Sequence, residues 1–259
     1  MHKLRLRYVK TGTAKYISHL DLMSTMKRAL LRAGVSLKYS DGFNPHPYMS
    51  GALPLPVGSA SICELLDFGA ADELPPDILP EIINAVLPEG LEILEAYVPG
   101  SKFSGIKWIG LNGSLFYRVC DPAIIVDKLT EAFSAESIII TKRTKRGTSE
   151  LDIVPFIRDV GFEMDNSCLE RTRDVGVSGP GTSDSERNFL SADAADAADA
   201  CGFPVEKLIR MSVKVSAQDP SITPDNLLGA LNLTDCGLIP DFAAFTRTEV
   251  YDENMKTFR

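Results

Sequence analysis

The sequence predicts an α+β fold made of two ferredoxin-like β-α-β-β-α-β units, the second carrying a flexible insertion. Three observations lead there. Segments of period two alternate with segments of helical period through the first hundred residues, a second run of the same rhythm follows, and a stretch of foreign composition interrupts that second run. The expected units are 1–110 and 111–259, with the insertion at 169–202. The repetition is one of architecture, without self-similarity at the level of residues.

Lys3 to Val9 sets Leu4, Leu6 and Tyr8 against Lys3, Arg5 and Arg7, the alternation of a strand with one wet, basic face. Thr11-Gly12-Thr13 then turns the chain towards Ser18, which with Asp21 forms a short-armed capping box for a helix running to about Ala33 and stopped by Gly34. Along it Leu20, Met23, Met26, Leu30 and Ala33 are expected to face the core, leaving Lys27, Arg28 and Arg32 off that stripe. A loop rich in proline, glycine and aromatics follows as far as Gly58, long enough to hold a short edge strand. Ile62–Phe68 reads as a strand, Pro76–Val86 as a helix begun by proline and Leu91–Val98 as a third strand.

The second run places strands at Leu115–Val119, Ser137–Lys142, Leu208–Ser216 and Phe245–Tyr251, with helices at Ala123–Phe133 and Pro224–Leu231. Between them, Leu169 to Gly202 contains TRDVGVSGPGTSDSERN and then ADAADAADAC. Its Gly, Ser and charge content marks a flexible loop, and its Asp spacing gives no convergent metal cage.

The net charge of −8 is unevenly distributed. Residues 1–50 carry nine Lys/Arg against Asp21 and Asp41, while the rest carries 18 against 33. Such asymmetry suits an anionic partner such as a nucleic acid at the basic end, or a solvated face that balances an acidic neighbour. Five cysteines spaced at least 33 positions apart offer neither a metal knuckle nor a redox pair, and exclude the three-cysteine motif of a radical-generating cluster. No cofactor and no metal is expected. No apolar run reaches the roughly 18 residues of a membrane span, and the N-terminus lacks a signal-peptide core, so the expected location is cytoplasmic, away from the membrane.

The candidate site is the window from Tyr16 to Gly58, which holds two of the three histidines, His19 and His46. His19 in the first turn of the helix would stay neutral, fit to act as base or donor, or would simply bond within the fold. His46, between Pro45 and Pro47, is expected to be displayed. Two such rings could divide acid and base roles in metal-independent RNA cleavage. Tyr39, Ser40, Gly42, Phe43, Asn44 and Tyr48 surround them; the aromatics suit stacking of unpaired bases, although Phe43 is expected to anchor the loop to the core. Lys27, Arg28 and Arg32 would meet phosphates, or serve the negative end of the helix dipole. Lys142, Arg143, Lys145 and Arg146 make a second basic cluster, a phosphate contact or a solubilising turn.

Taken together, SHLDL, YSDGFNPHP and ALPLPVG, with KRGTSELDIVPFI and the terminal RTEVY, resemble the radical SAM-linked domain of unknown function over nearly the whole chain outside 169–202. The resemblance implies a radical SAM protein as partner, since members occur alone or fused to such enzymes, and a neighbourhood of ribonuclease G-type proteins. The helix and loop are also distantly similar to ferredoxin-like CRISPR RNA-processing endonucleases. The expected function is an accessory, RNA-binding module without redox chemistry of its own. The alternatives are an endonuclease using His19 and His46, and a module that docks on the radical SAM partner through its loop.

Overall fold

The computed structural model describes residues 2–118, 121–144, 147–164, 208–232 and 238–259 as a mixed α+β structure, rich in strands with few helices. The insertion expected at 169–202, and Lys145 and Arg146, lie outside the described residues. The chain forms two compact units: Met1–Lys107 joined by Arg247–Arg259, and Trp108–Thr246.

The first unit contains β1 (His2–Lys10), α1 (His19–Arg32), β2 (Met49–Gly51), β3 (Ala60–Ala70), α2 (Leu79–Asn84) and β4 (Leu91–Tyr97). β1 is antiparallel to both β3 and β4, and β2 is antiparallel to the end of β3, so the strand order is β4-β1-β3-β2. The expected edge strand inside the long loop is therefore present as β2. Ser18 caps α1: its Oγ accepts from the Asp21 N–H at 3.2 Å and donates to the Asp21 carboxylate at 2.7 Å. Gly34 ends the helix in the left-handed region at φ +81°, where a side chain would be strained.

The core-facing stripe of α1 differs from the expected one. Leu22, Met26, Ala29 and Leu30 are buried against Leu4, Leu6, Leu66 and Phe68, whereas Leu20 is 77% exposed. At 3.6 residues per turn Leu20 points about 120° away from Met26, so two successive three-residue steps drifted off the face. The expected wet, basic face of β1 is also corrected. Arg5 is fully buried against Asp67 of β3 and Arg7 pairs with Glu249 at 3.1 Å, so carboxylates neutralise that face.

The second unit contains β5 (Trp108–Phe116), α3 (Pro122–Phe133), β6 (Ile139–Thr144), β7 (Gly147–Asp152), β8 (Ile157–Met164), β9 (Leu208–Ser216), α4 (Pro224–Leu231) and the opening residues of β10 (Phe242–Tyr251). β9 is antiparallel to β5 on one side and β8 on the other, and β10 lies beside β5. Alternate residues Ile209, Met211, Val213 and Val215 are buried, as are Ile125 and Leu129 of α3 and Leu227 and Leu231 of α4. At Gly113 a Cβ would come 2.7 Å from the Phe245 ring, so a side chain there would force that ring to shift.

Two strand expectations change. The first strand of this unit begins at Trp108, earlier than the Leu115 of the sequence reading. Ser137–Lys142, expected within the sheet, contributes to β6, which pairs with β7 in a separate two-stranded hairpin. The place beside β9 belongs instead to β8, IRDVGFEM, whose mixed polar and glycine content hides its strand character.

Candidate functional site

The loop after α1 is closed by its own backbone. The Lys38 N–H donates to the Gly69 carbonyl at 2.8 Å, the Tyr48 N–H to Lys38 at 2.9 Å and the Gly69 N–H to Tyr48 at 2.8 Å. A bridge between Tyr39 and Pro47 and a 2.8 Å bond from the Ser40 N–H to the His46 carbonyl narrow it further. Asp41 to Pro45 are thereby left as an exposed tip. Gly42 takes φ +118° there, a conformation side chains rarely adopt. Phe43, expected to anchor the loop, is wholly exposed. The backbone bonds and prolines hold the loop without it.

His46 is displayed as the flanking prolines suggest, and its orientation is set locally. Its N–H donates to Ser40 Oγ at 3.1 Å, and its Nδ1 lies 3.0 Å from that oxygen and 3.4 Å from the Asn44 carbonyl. This leaves Nε2 without a partner among the described residues, available to a ligand.

His46, Tyr48, Lys3, Asp67, Lys102 and Phe103 line a cleft of about 360 Å³. Asp67 gathers the cations of the cleft. It accepts from Arg5 Nε at 2.6 Å and Nη2 at 3.1 Å, and from Lys3 Nζ at 2.8 Å. Arg5 lies over the Phe103 ring at 4.4 Å and the Phe258 ring at 5.2 Å, and also donates to the Ser101 carbonyl. One carboxylate thus serves two cations, and exposed Lys102 adds a third that makes no ion pair among the described residues. The cleft is cationic and walled by rings.

The remaining expected site residues are distributed differently. Lys27 stands over the Tyr39 ring at 5.6 Å, which fixes one flank of the loop. Arg28 and Arg32 line a separate groove, where Arg32 Nη2 donates to the Val86 carbonyl at 2.6 Å. His19 lies beside Gly51 and Met23, so the two histidine rings have different neighbours. In the second unit, Lys142 Nζ donates to the Ser221 carbonyl at 2.6 Å, and Arg143 pairs with Thr148 along the β6–β7 hairpin. Among the described residues no three His, Cys, Asp or Glu side chains gather as metal ligands.

A buried polar cluster, missed by sequence reasoning, fixes both ends of the window. Arg247 Nη1 donates to Glu64 at 2.8 Å and to the carbonyl of Leu53, which itself has φ +40°. Lys10 Nζ donates to the carbonyls of Lys15 and Ile17 at 3.3 and 3.2 Å, and burial lowers its pKa against the opposing pull of Glu64. Burial, helped by Glu64, pushes the Tyr8 phenol well up and the Cys63 thiol up to about 12. The signal for both clusters was in β3, where ASICELLDFGA carries Glu64 and Asp67 within an otherwise apolar buried strand. Two such carboxylates require cationic partners.

Residues 3–180 match a family model whose description is an uncharacterized protein conserved in bacteria. None of the curated proteins matches the chain. No helix among the described residues is long and apolar enough to cross a membrane.

Proposed function

The chain belongs to that family, DUF2344, and on the cleft of its first unit we propose that it is an accessory module that binds RNA. The observation that carries this reading is the union of ring walls and unsatisfied positive charge at one cleft. Tyr48 and His46 offer flat surfaces for an unpaired base, and Lys102 and Lys3, which line the same cleft, would supply its phosphate contacts. His46 Nε2 and the Ser50 hydroxyl add groups able to bond a base edge or a 2′-hydroxyl. Phe43, exposed at the loop tip, is a further ring on the same loop, and Lys27 over the Tyr39 ring adds charge beside that loop.

The strand order β4-β1-β3-β2 of the first unit supports a ferredoxin-like arrangement, and so does the second unit's order β10-β5-β9-β8. The sequence resemblance supports a radical SAM protein as the enzyme served. In this reading the module contributes substrate recognition, and the redox chemistry belongs to the partner.

The test is titration of the full chain with labelled structured RNA across a range of salt. Binding should weaken linearly on a log–log plot, with a slope of about −0.7 per phosphate neutralised on single strands. Binding that ignores salt, or that is absent across a cellular RNA pool, overturns the proposal.

A further inference from the structure

The groove beside α1 has a different chemistry from the cleft. It encloses about 580 Å³ between Arg28, Leu31 and Arg32 of α1 and the Val86–Pro88 turn that follows α2. Its floor is apolar: Leu31 is 45% exposed in it, beside Val86, Leu87 and Pro88. On a helix that already buries its own stripe, Leu31 thus leaves nearly half of its surface open to the groove.

Arg28 and Arg32 stand one helical turn apart along this floor, so their side chains emerge about 6 Å from each other. Arg32 is held by its 2.6 Å bond to the Val86 carbonyl, which fixes the guanidinium across the end of the groove while its other N–H groups stay available. Arg28 is exposed and makes no ion pair among the described residues. The groove therefore presents an apolar stripe edged by two cations at helical spacing.

We propose that this groove docks a short acidic amphipathic helix of a partner protein. A helix carrying leucines on one face and two carboxylates at i and i+4 on its flank matches the floor and the arginine pair together. Guanidinium–carboxylate pairs of this kind add geometry as well as attraction. RNA suits the groove poorly, because no ring lines it and phosphates would lose water over an apolar floor. The proposal stands independently of RNA binding at the cleft.

The experiment uses the full chain, isotopically labelled, and a synthetic amidated helix of about three turns with leucines on one face and glutamates at i and i+4. A second peptide carries lysine in place of each glutamate, and a short oligouridine serves as the nucleic-acid probe. The acidic peptide should shift the amides of Thr25 to Arg32, Val86 and Leu87. Arg28→Glu should weaken it about tenfold, equivalent to roughly 1.4 kcal/mol, and improve binding of the lysine peptide. Leu31→Ser should weaken both peptides, separating apolar docking from simple charge attraction. Both variants change exposed side chains, and unshifted amides elsewhere verify their folding. The proposal is overturned if the acidic peptide leaves these amides unmoved at millimolar concentration, if the two peptides bind equally, or if oligouridine moves these amides and the peptide does not.

Discussion

The Arg247 guanidinium donates to the Glu64 carboxylate at 2.8 Å, joining residues 183 positions apart in a site closed to water. Through its second bond, to the Leu53 carbonyl, Arg247 ties the ALPLPVG segment to β3 and so sets where the loop carrying His46 ends. A buried ion pair of this type specifies geometry as much as it stabilises, because each charge is tolerable only while the other is in place.

Removing one partner should expose that dependence. Arg247→Met leaves Glu64 buried without its cation and should cost about 3–5 kcal/mol, whereas Arg247→Met with Glu64→Leu should recover much of the loss. Urea unfolding of the three proteins measures both effects. Equal losses in the single and double variants would mean that packing, and not charge, dominates.

Cys63 should be inert in the folded chain. With its pKa pushed up to about 12 by burial and then by Glu64, roughly one thiol in ten thousand is ionised at pH 8. Alkylation by iodoacetamide should therefore follow unfolding, and Arg247→Met, which loosens the same cluster, should accelerate it. Labelling of Cys63 at the rate of a free cysteine in the native protein would contradict the packing around Glu64.

In the cleft, a charge and a ring are expected to report different things. Lys102→Gln should reduce the salt slope of RNA binding by about 0.7, the loss of one phosphate contact. Tyr48→Ala should lower affinity by about 1–3 kcal/mol while leaving the slope unchanged, as loss of a stacked base does. A change of slope on Tyr48→Ala, or none on Lys102→Gln, would reverse the assigned roles.

Asp152 gives the β6–β7 hairpin a dependence on acid. Its carboxylate accepts from the Ile138 N–H at 3.0 Å and the Val154 N–H at 3.1 Å, which lowers its pKa from 3.8. A carboxyl with a lower pKa when folded than unfolded stabilises fully above the unfolded value and loses that contribution as pH falls through the folded one. The stability difference between the native chain and Asp152→Ala should therefore be constant near neutral pH and shrink below about pH 4. A gap that persists unchanged in acid would show that the carboxylate charge is not what holds the turn.

Much of the candidate site was legible because its signals are local. Ser18 with Asp21, and Gly34, act over one to three residues, and each does so in the structure. The cleft was not legible, because Asp67 meets Arg5 across 62 positions and Arg5 meets Phe258 across most of the chain. The exposed Phe43 shows the same limit from the other side. Hydrophobicity alone assigned it to the core, and backbone bonding made that role unnecessary.

The sequence by itself determined the α+β alternation, the capped helix, the edge strand within the loop and the concentration of positive charge near the N-terminus. Only the tertiary structure decided which of those charges face solvent. Arg5 and Arg7 are neutralised by acidic residues on other strands, Arg32 keeps its charge but is held by a carbonyl beyond α2, and Lys102 enters the cleft from a segment no local pattern connects to it. The physical reason is range. Turn chemistry and periodicity act between neighbours in sequence, whereas the desolvation that makes a buried charge require its partner acts between neighbours in space.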